Sequence, residues 1–207
     1  MFHFAWLNPF DTLLYHGING LAGHNAIMDA SMIFLANQAL PLYAIFFVVA
    51  WFVLAKDDRS HRHALLLAGL SGILALLINA LIAQIWFRPR PFVVFSKGTF
   101  TQLVPHSMDA SFPSDHASGS FGFATASWGR LPRWISIPFT VLAVLVLFAR
   151  VYVGVHYPTD VLAGFFVGFL ASRIVNKLSP LFLPVTTFLM KWVPVGRRTT
   201  NTSMVKS

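Results

Sequence analysis

The sequence predicts an all-α protein: a polytopic membrane helix bundle with five strong spans plus an N-terminal interfacial helix, six if that segment also crosses. Three observations carry this reading. Of 207 residues, 56% are hydrophobic and only 11% charged, with 21 Phe, where a soluble domain carries roughly 25% charged residues. The mean hydropathy is +0.66. The basic residues fall in short segments between long apolar runs, which is how a chain dissolved in lipid distributes charge. Cysteine is absent, which excludes disulfides and thiolate metal sites. Met1-Phe2-His3-Phe4 has no basic region ahead of an apolar core, so no cleaved signal peptide is expected and the spans themselves direct insertion.

The elements follow in order. Residues 1–26 are mixed and hold Asn8, Pro9, Asp11, His16 and Asn19, the pattern of an amphipathic helix and turn at the interface. Residues 40–55 are apolar but short, and extend back toward Met28 with a bend at Pro41. Residues 64–87 carry no charge and cover roughly 36 Å as a helix, enough for the hydrocarbon core. A weaker span over 113–129 is rich in Ser, Ala and Gly, which suits the interior of a bundle rather than its lipid face. Residues 134–155 are apolar except for Arg150. Residues 158–176 form the last span, with Gly164 and Gly168 on one face where helices can approach closely. Residues 181–194 are a second interfacial candidate, and 195–207 a polar tail. No internal repeat is visible. The chain thus divides into an N-terminal interfacial segment (1–26), a transmembrane catalytic domain (27–178) and a C-terminal interfacial segment with its tail (179–207).

The net charge of +8 raises the possibility of nucleic acid, but eleven of the fifteen Lys and Arg fall in the loops 56–63 and 130–133 and the segment 173–207. Only Arg88, Arg90, Lys97 and Arg150 fall on the other side. Positive loops face the cytoplasm, so the four lie outside, and a nucleic-acid partner loses its support because the charges are dispersed.

Those outer charges are not scattered. Arg88-Pro89-Arg90-Pro91 ends one span, Phe112-Pro113-Ser114-Asp115-His116 begins the next, and Arg150 to Asp160 joins the last two. An antiparallel bundle brings all three segments to one membrane face. A lone arginine at a span end usually only snorkels, but two Arg, two His and two Asp converging there call for chemistry. Arg90 and Arg150 offer planar donor forks for phosphate oxygens. Ser114, Asp115 and His116 follow Pro113, a residue favoured at a first helical position, so free N–H groups there would form an anion site. Of His116 and His156, one can attack phosphorus while the other protonates the leaving oxygen. Pro158 keeps His156 just outside the following helix, with Asp160 in its first turn reaching back to hold one ring nitrogen. A zinc site is the rival use of His and Asp, but the arginines would repel a cation; no metal or cofactor is expected.

The segments R-P-R-P-F (88–92), F-P-S-D-H (112–116) and R-V-Y-V-G-V-H-Y-P-T-D (150–160) resemble the three motifs of the type 2 phosphatidic acid phosphatase superfamily, K-x6-R-P, P-S-G-H and S-R-x5-H-x3-D. The resemblance implies a helical core, a metal-independent reaction, His156 as the nucleophile forming phosphohistidine, Asp160 as its orienting partner, His116 as general acid, and Arg90, Ser114 and Arg150 as phosphate ligands. Three positions depart from the motifs: Ala83 stands where the lysine belongs, Asp115 replaces Gly and Ala149 replaces Ser. Arg88 is the nearest replacement for the missing lysine charge, since an extended Arg88-Pro89-Arg90 would turn both guanidinium groups to one anion; Asp115 joins the phosphate-binding candidates and should repel the anion unless turned outward or paired. The stretch 103–119 with R-P-R-P-F-V before it is similar to the bacitracin-resistance branch of undecaprenyl-diphosphatases. That likeness implies hydrolysis of a polyprenyl diphosphate lipid, undecaprenyl diphosphate, on the outer face of a bacterial plasma membrane, recycling the carrier of cell-wall synthesis and giving bacitracin resistance. The alternatives are another lipid phosphate (phosphatidic acid or phosphatidylglycerol phosphate), a vanadate-dependent haloperoxidase, which the spans and the absent lysine disfavour, and a non-enzymatic lipid carrier, which the intact His116, His156 and Asp160 disfavour.

Overall fold

A computed structural model describes residues 8–54 and 58–192, Trp192 by its backbone alone; the polar tail 195–207 and Lys56 lie outside the described residues. Among the described residues eight helices follow in chain order: α1 (Pro9–Asn19), α2 (Ala26–Val53), α3 (Arg59–Ile85), α4 (Pro91–Val94), α5 (Asp115–Ser127), α6 (Arg133–Tyr152), α7 (Pro158–Lys177) and α8 (Ser179–Trp192). The starts of α1 and α2 are written in polar residues that take up orphan N–H groups. Asn8 accepts from the Asp11 N–H at 2.7 Å ahead of Pro9, and Asn25 accepts from Ile27 and Met28 at 3.0 Å each. α2 runs through Pro41 as one helix.

Helices α2, α3, α6 and α7 are long and apolar enough to cross a membrane. Their outer faces carry side chains such as Ile27, Leu81, Phe52 and Phe166, all more than 60% exposed, which only lipid would cover. The fifth span expected over 113–129 is shorter: α5 has 13 residues and covers about 20 Å. It is a core helix walled in by α3, α6 and α7. Small residues make that possible. A Cβ on Gly164 would stand 2.7 Å from the Ala117 Cβ, and one on Gly168 2.5 Å from the Ser118 carbonyl oxygen. On the other side a Cβ on Gly122 would lie 2.8 Å from the Ser71 carbonyl oxygen. With no hydrophobic force between helices in lipid, this close backbone contact is what holds the three together.

The turn after α6 seats the long loop before α5. Gly154 has φ +86°, and a Cβ there would meet the Thr101 carbonyl oxygen at 2.5 Å, so only glycine lets the 96–114 loop lie against it. The Leu103 N–H donates to the Val153 carbonyl at 3.1 Å across this seam. At the opposite end Arg130 reaches the Asn176 carbonyl at 3.2 Å, and His63 ties α8 to α3 through Thr186 Oγ1 at 2.8 Å and Ser179 Oγ at 2.9 Å.

Helix α1 is amphipathic in an inverted sense. Asp11, Tyr15 and Asn19, each four residues apart on one face, are buried, while Phe10, Leu13 and Leu14 face outward. The polar stripe docks on the protein. Tyr15 Oη donates to the Gly154 carbonyl at 3.3 Å, and Asn19 Nδ2 donates to the carbonyls of Thr101 at 2.7 Å and Tyr152 at 2.8 Å.

Candidate active site

His156 lies in the α6–α7 turn, 2% exposed. Its Nδ1 sits 2.9 Å from the Ser111 carbonyl oxygen. A carbonyl only accepts, so Nδ1 carries the proton and Nε2 carries the lone pair. Nε2 faces two guanidinium groups, Arg90 Nη1 at 3.2 Å and Arg150 Nη2 at 3.4 Å. Burial, then the charges of Arg150 and Arg90, hold this imidazole well below the ordinary histidine range, with His116 and His106 adding to the effect. At neutral pH it is the free base.

The two arginines are fixed from behind. Arg90, at the N-cap of α4, donates to Asp109 Oδ1 through Nε at 2.7 Å and to the Val155 carbonyl through Nη1 at 2.9 Å. Arg150, three residues from the end of α6, donates to the Ala36 carbonyl at 3.2 Å, and its Nε has no partner. Ser114 is the N-cap of α5; its Oγ, fully buried, is likewise without a partner. Pro113 thus precedes the cap rather than opening the helix. The Ser114 N–H donates to the Asp160 carbonyl at 3.1 Å and locks the starts of α5 and α7 together.

Asp160 is at the third position of α7, behind Pro158, and its Oδ2 accepts the Tyr157 N–H at 2.9 Å. The expected direct bond to His156 is absent: Oδ2 is 3.6 Å from Nδ1, beyond hydrogen-bond reach. Ser111 stands between them. Its Oγ donates to Oδ2 at 2.5 Å while its carbonyl takes the imidazole proton. Asp160 therefore orients His156 through Ser111 and acts on the ring by charge.

Two of the candidate phosphate ligands are held by other groups of the protein, Arg88 first. Its Nη1 donates to Asp160 Oδ1 at 2.7 Å and to Thr159 Oγ1 at 2.7 Å, its Nη2 to Asp11 Oδ2 at 2.6 Å, and its guanidinium lies 4.0 Å over the Tyr157 ring. Two buried carboxylates and a hydroxyl take up that fork. The Asp115 carboxylate is exposed and accepts from Asn79 Nδ2 at 2.9 Å, with Asn79 in turn accepting from Ser118 Oγ at 3.0 Å. It is both turned outward and paired, which removes the repulsion. His116, in the first turn of α5, is half-buried.

The sequence reading passed over Ser111, His106, Asp109, Asp11, Thr159 and Asn79. His106 stands at the rim, its ring 6.4 Å from that of His156 and its Nδ1 3.6 Å from Asp109. Burial, then Arg90 and Arg150, push it below the ordinary histidine range. It also lines a cavity of about 480 Å³ with Phe92, Leu103, Val104 and Met108. Asp11 was visible as a carboxylate in an otherwise apolar helix; Ser111 gave no signal beyond its nearness to the second motif. Among the described residues no group of three or more His, Asp or Glu converges as metal ligands do.

An imidazole free base facing two buried guanidinium groups, set in a bundle with four membrane-crossing helices, defines a membrane-embedded phosphatase. Residues 64–182 match the PAP2 superfamily, and the chain belongs to it as a lipid-phosphate phosphatase. It is 36% identical over 178 residues to undecaprenyl-diphosphatase BcrC of Bacillus subtilis, covering 86% of this chain and 89% of that protein. The fold is similar to that of the PAP2-type phosphatidylglycerolphosphate phosphatase of Bacillus subtilis, with TM-score 0.60, 26% identity, and 84% and 88% of the two chains covered. It is also similar to that of Aquifex aeolicus LpxE, with TM-score 0.69, 21% identity, and 84% and 98% covered.

Proposed function

We propose that this protein hydrolyses undecaprenyl diphosphate to undecaprenyl phosphate and inorganic phosphate through a phosphohistidine on His156. The observation that carries the chemistry is the His156 Nε2 lone pair lying between Arg90 Nη1 and Arg150 Nη2. An entering phosphoryl group would take those N–H donors for its oxygens and free the lone pair to attack. The unpartnered Ser114 Oγ and Arg150 Nε and the free N–H groups at the start of α5 supply further donors for the same anion.

In the first step Nε2 bonds to the terminal phosphorus and the bridging P–O bond breaks. Burial, then the charge of Arg150, favour the neutral form of His116 in the empty site, so it takes up a proton beside the bound anion and gives that proton to the departing undecaprenyl phosphate oxygen. In the second step the now neutral His116 takes a proton from water, whose oxygen attacks phosphorus; the P–N bond breaks and inorganic phosphate leaves. Asp160 balances the positive charge that the phosphorylated imidazole develops. The choice of lipid rests on the 36% identity to the Bacillus subtilis undecaprenyl-diphosphatase over most of both chains. Bacitracin resistance would follow from the same turnover. The excess of Lys and Arg away from the site favours an extracytoplasmic active face in a bacterial plasma membrane.

A second reading, phosphatidylglycerol phosphate as substrate, draws on the fold and 26% identity of the other Bacillus subtilis phosphatase. Purified protein given undecaprenyl diphosphate, phosphatidylglycerol phosphate and phosphatidic acid side by side decides between them. Phosphate release fastest from the diphosphate, with an acid-labile phosphoryl group trapped on wild-type but not on His156→Ala protein, is the expected result. Preference for a monophosphate lipid overturns the substrate, and a phosphoryl-enzyme in His156→Ala overturns the mechanism.

A further inference from the structure

The catalytic carboxylate is not paired with one arginine alone. Arg88 is shared between Asp160 Oδ1, at 2.7 Å, and Asp11 Oδ2, at 2.6 Å. Asp11 and Asp160 have no exposed side-chain surface and Arg88 has 6%. Asp11 is bound again by the Thr159 N–H at 2.8 Å and by Thr159 Oγ1 at 2.6 Å. Thr159 Oγ1 also accepts from Arg88 at 2.7 Å. Each group has a geometric partner, so this is a built cluster rather than a chance contact.

Its charge is the informative quantity. Arg88 and Asp160 by themselves would be a neutral pair, and a neutral pair gives His156 no counter-charge when its ring becomes cationic on phosphorylation. Asp11 restores one negative charge to the cluster. The groups facing His156 from the other elements are Arg90 before α4, Arg150 on α6, His116 on α5 and His106 in the loop, all basic; the Asp109 carboxylate is solvent-exposed and bound to Arg90 at 2.7 Å, so the cluster of Asp11, Arg88 and Asp160 is the buried negative potential against the ring.

We propose that Asp11, on the N-terminal helix, is a positioning residue of the active site: through Arg88 it keeps Asp160 in place and leaves the cluster with the net negative charge that His156 needs to become phosphorylated. This rests on reading His156 as the nucleophile. Outside its catalytic motifs the chain therefore carries a residue that the chemistry depends on, on a helix that would otherwise be taken for a membrane anchor.

The test compares Asp11→Asn, Asp11→Glu and Asp11→Asn/Arg88→Gln in detergent with the full chain, alongside thermal melting of each. Asp11→Asn keeps the shape and removes the charge. It is expected to lower kcat about tenfold at unchanged KM and to move the acid limb of the kcat/KM profile to lower pH, because His156 loses negative potential. The double variant again has one net negative charge and is expected to turn over faster than Asp11→Asn; Asp11→Glu should stay within about threefold of wild type. A double variant slower than the single one, or equal losses for Asn and Glu, makes Asp11 merely structural and overturns the proposal. If Asp11→Asn does not fold, Arg88→Gln serves, since it leaves two negative charges and should move the acid limb to higher pH; an unmoved limb overturns the proposal. Trapping the phosphoryl group on His156 in wild type separates these outcomes from failure of the nucleophile assignment itself.

Discussion

Replacing Asp160 by Asn tests how His156 is activated, because it keeps the side chain's shape and its acceptor for the Tyr157 N–H while removing its charge. The carboxylate oxygen lies 3.6 Å from the imidazole Nδ1. At an effective dielectric of about 20, a full charge at that separation is stabilised by about 4–5 kcal/mol. Arg88, bound to the other carboxylate oxygen at 2.7 Å, offsets part of this, and Asp11 returns some of it. A net of about 3 kcal/mol remains, roughly a hundredfold in rate at 1.36 kcal/mol per tenfold. The loss should appear in the step that makes the ring cationic. Rapid-quench measurement of phosphoryl-enzyme formation in a single turnover isolates that step, with radiolabelled diphosphate lipid as substrate. Formation slowed by about a hundredfold, with lipid binding unchanged, is the expected outcome. A variant within threefold of wild type would show that Ser111 alone orients the ring and that the charge of Asp160 is irrelevant.

The other expectations are as direct. His116→Ala should lose about two to three orders of magnitude on the natural lipid but much less on an ester with an acidic leaving group, which needs no proton; equal losses on both would refute its role as acid. Activity should survive excess EDTA, because the positive charge comes from Arg90 and Arg150; full loss restored by zinc or magnesium would refute this. Since burial holds His156 below the ordinary range, the folded ring stays neutral as pH falls through about 6.5, whereas the unfolded one takes up a proton. Folding stability should therefore decline on acidification below about pH 6.5, and less so in His156→Gln, as melting in detergent at stepped pH will report. Gly168→Val, which would drive a side chain into the Ser118 carbonyl from 2.5 Å, should separate α7 from α5 and lower the melting temperature by several degrees or abolish folding.

The helices were legible because lipid imposes one strong rule on sequence: long uncharged runs bounded by polar caps. α3, α6 and α7 lie within a few residues of the runs that announced them. The length of α5 was not legible, because a helix of small residues owes its ends to neighbours rather than to its own hydropathy. At the site, His156, Arg90 and Arg150 come together as their spacing suggested. The partners of Arg88 were not legible, because an extended dipeptide repeat says where two side chains start, not what lies beside them. Its partner Asp11 is 77 residues away in the chain, and no local pattern encodes a contact of that range. Ser111 escaped for another reason: half of its role is played by its backbone carbonyl, which every residue possesses.

The docking of α1 also has a consequence for how the protein is made. Asp11 is synthesised well before its partners Arg88 and Thr159, which lie 77 and 148 residues downstream. Asn19 waits 133 residues for the Tyr152 carbonyl. A bond cannot form before both ends exist, so α1 cannot take its final seat until the start of α7 has been made. Its seating is then a late assembly event. A nascent or truncated chain that ends before α7 carries Arg90, Ser114 and His116 but lacks Asp160 and Thr159, so neither Arg88 nor α1 has its full set of partners until the start of α7 exists.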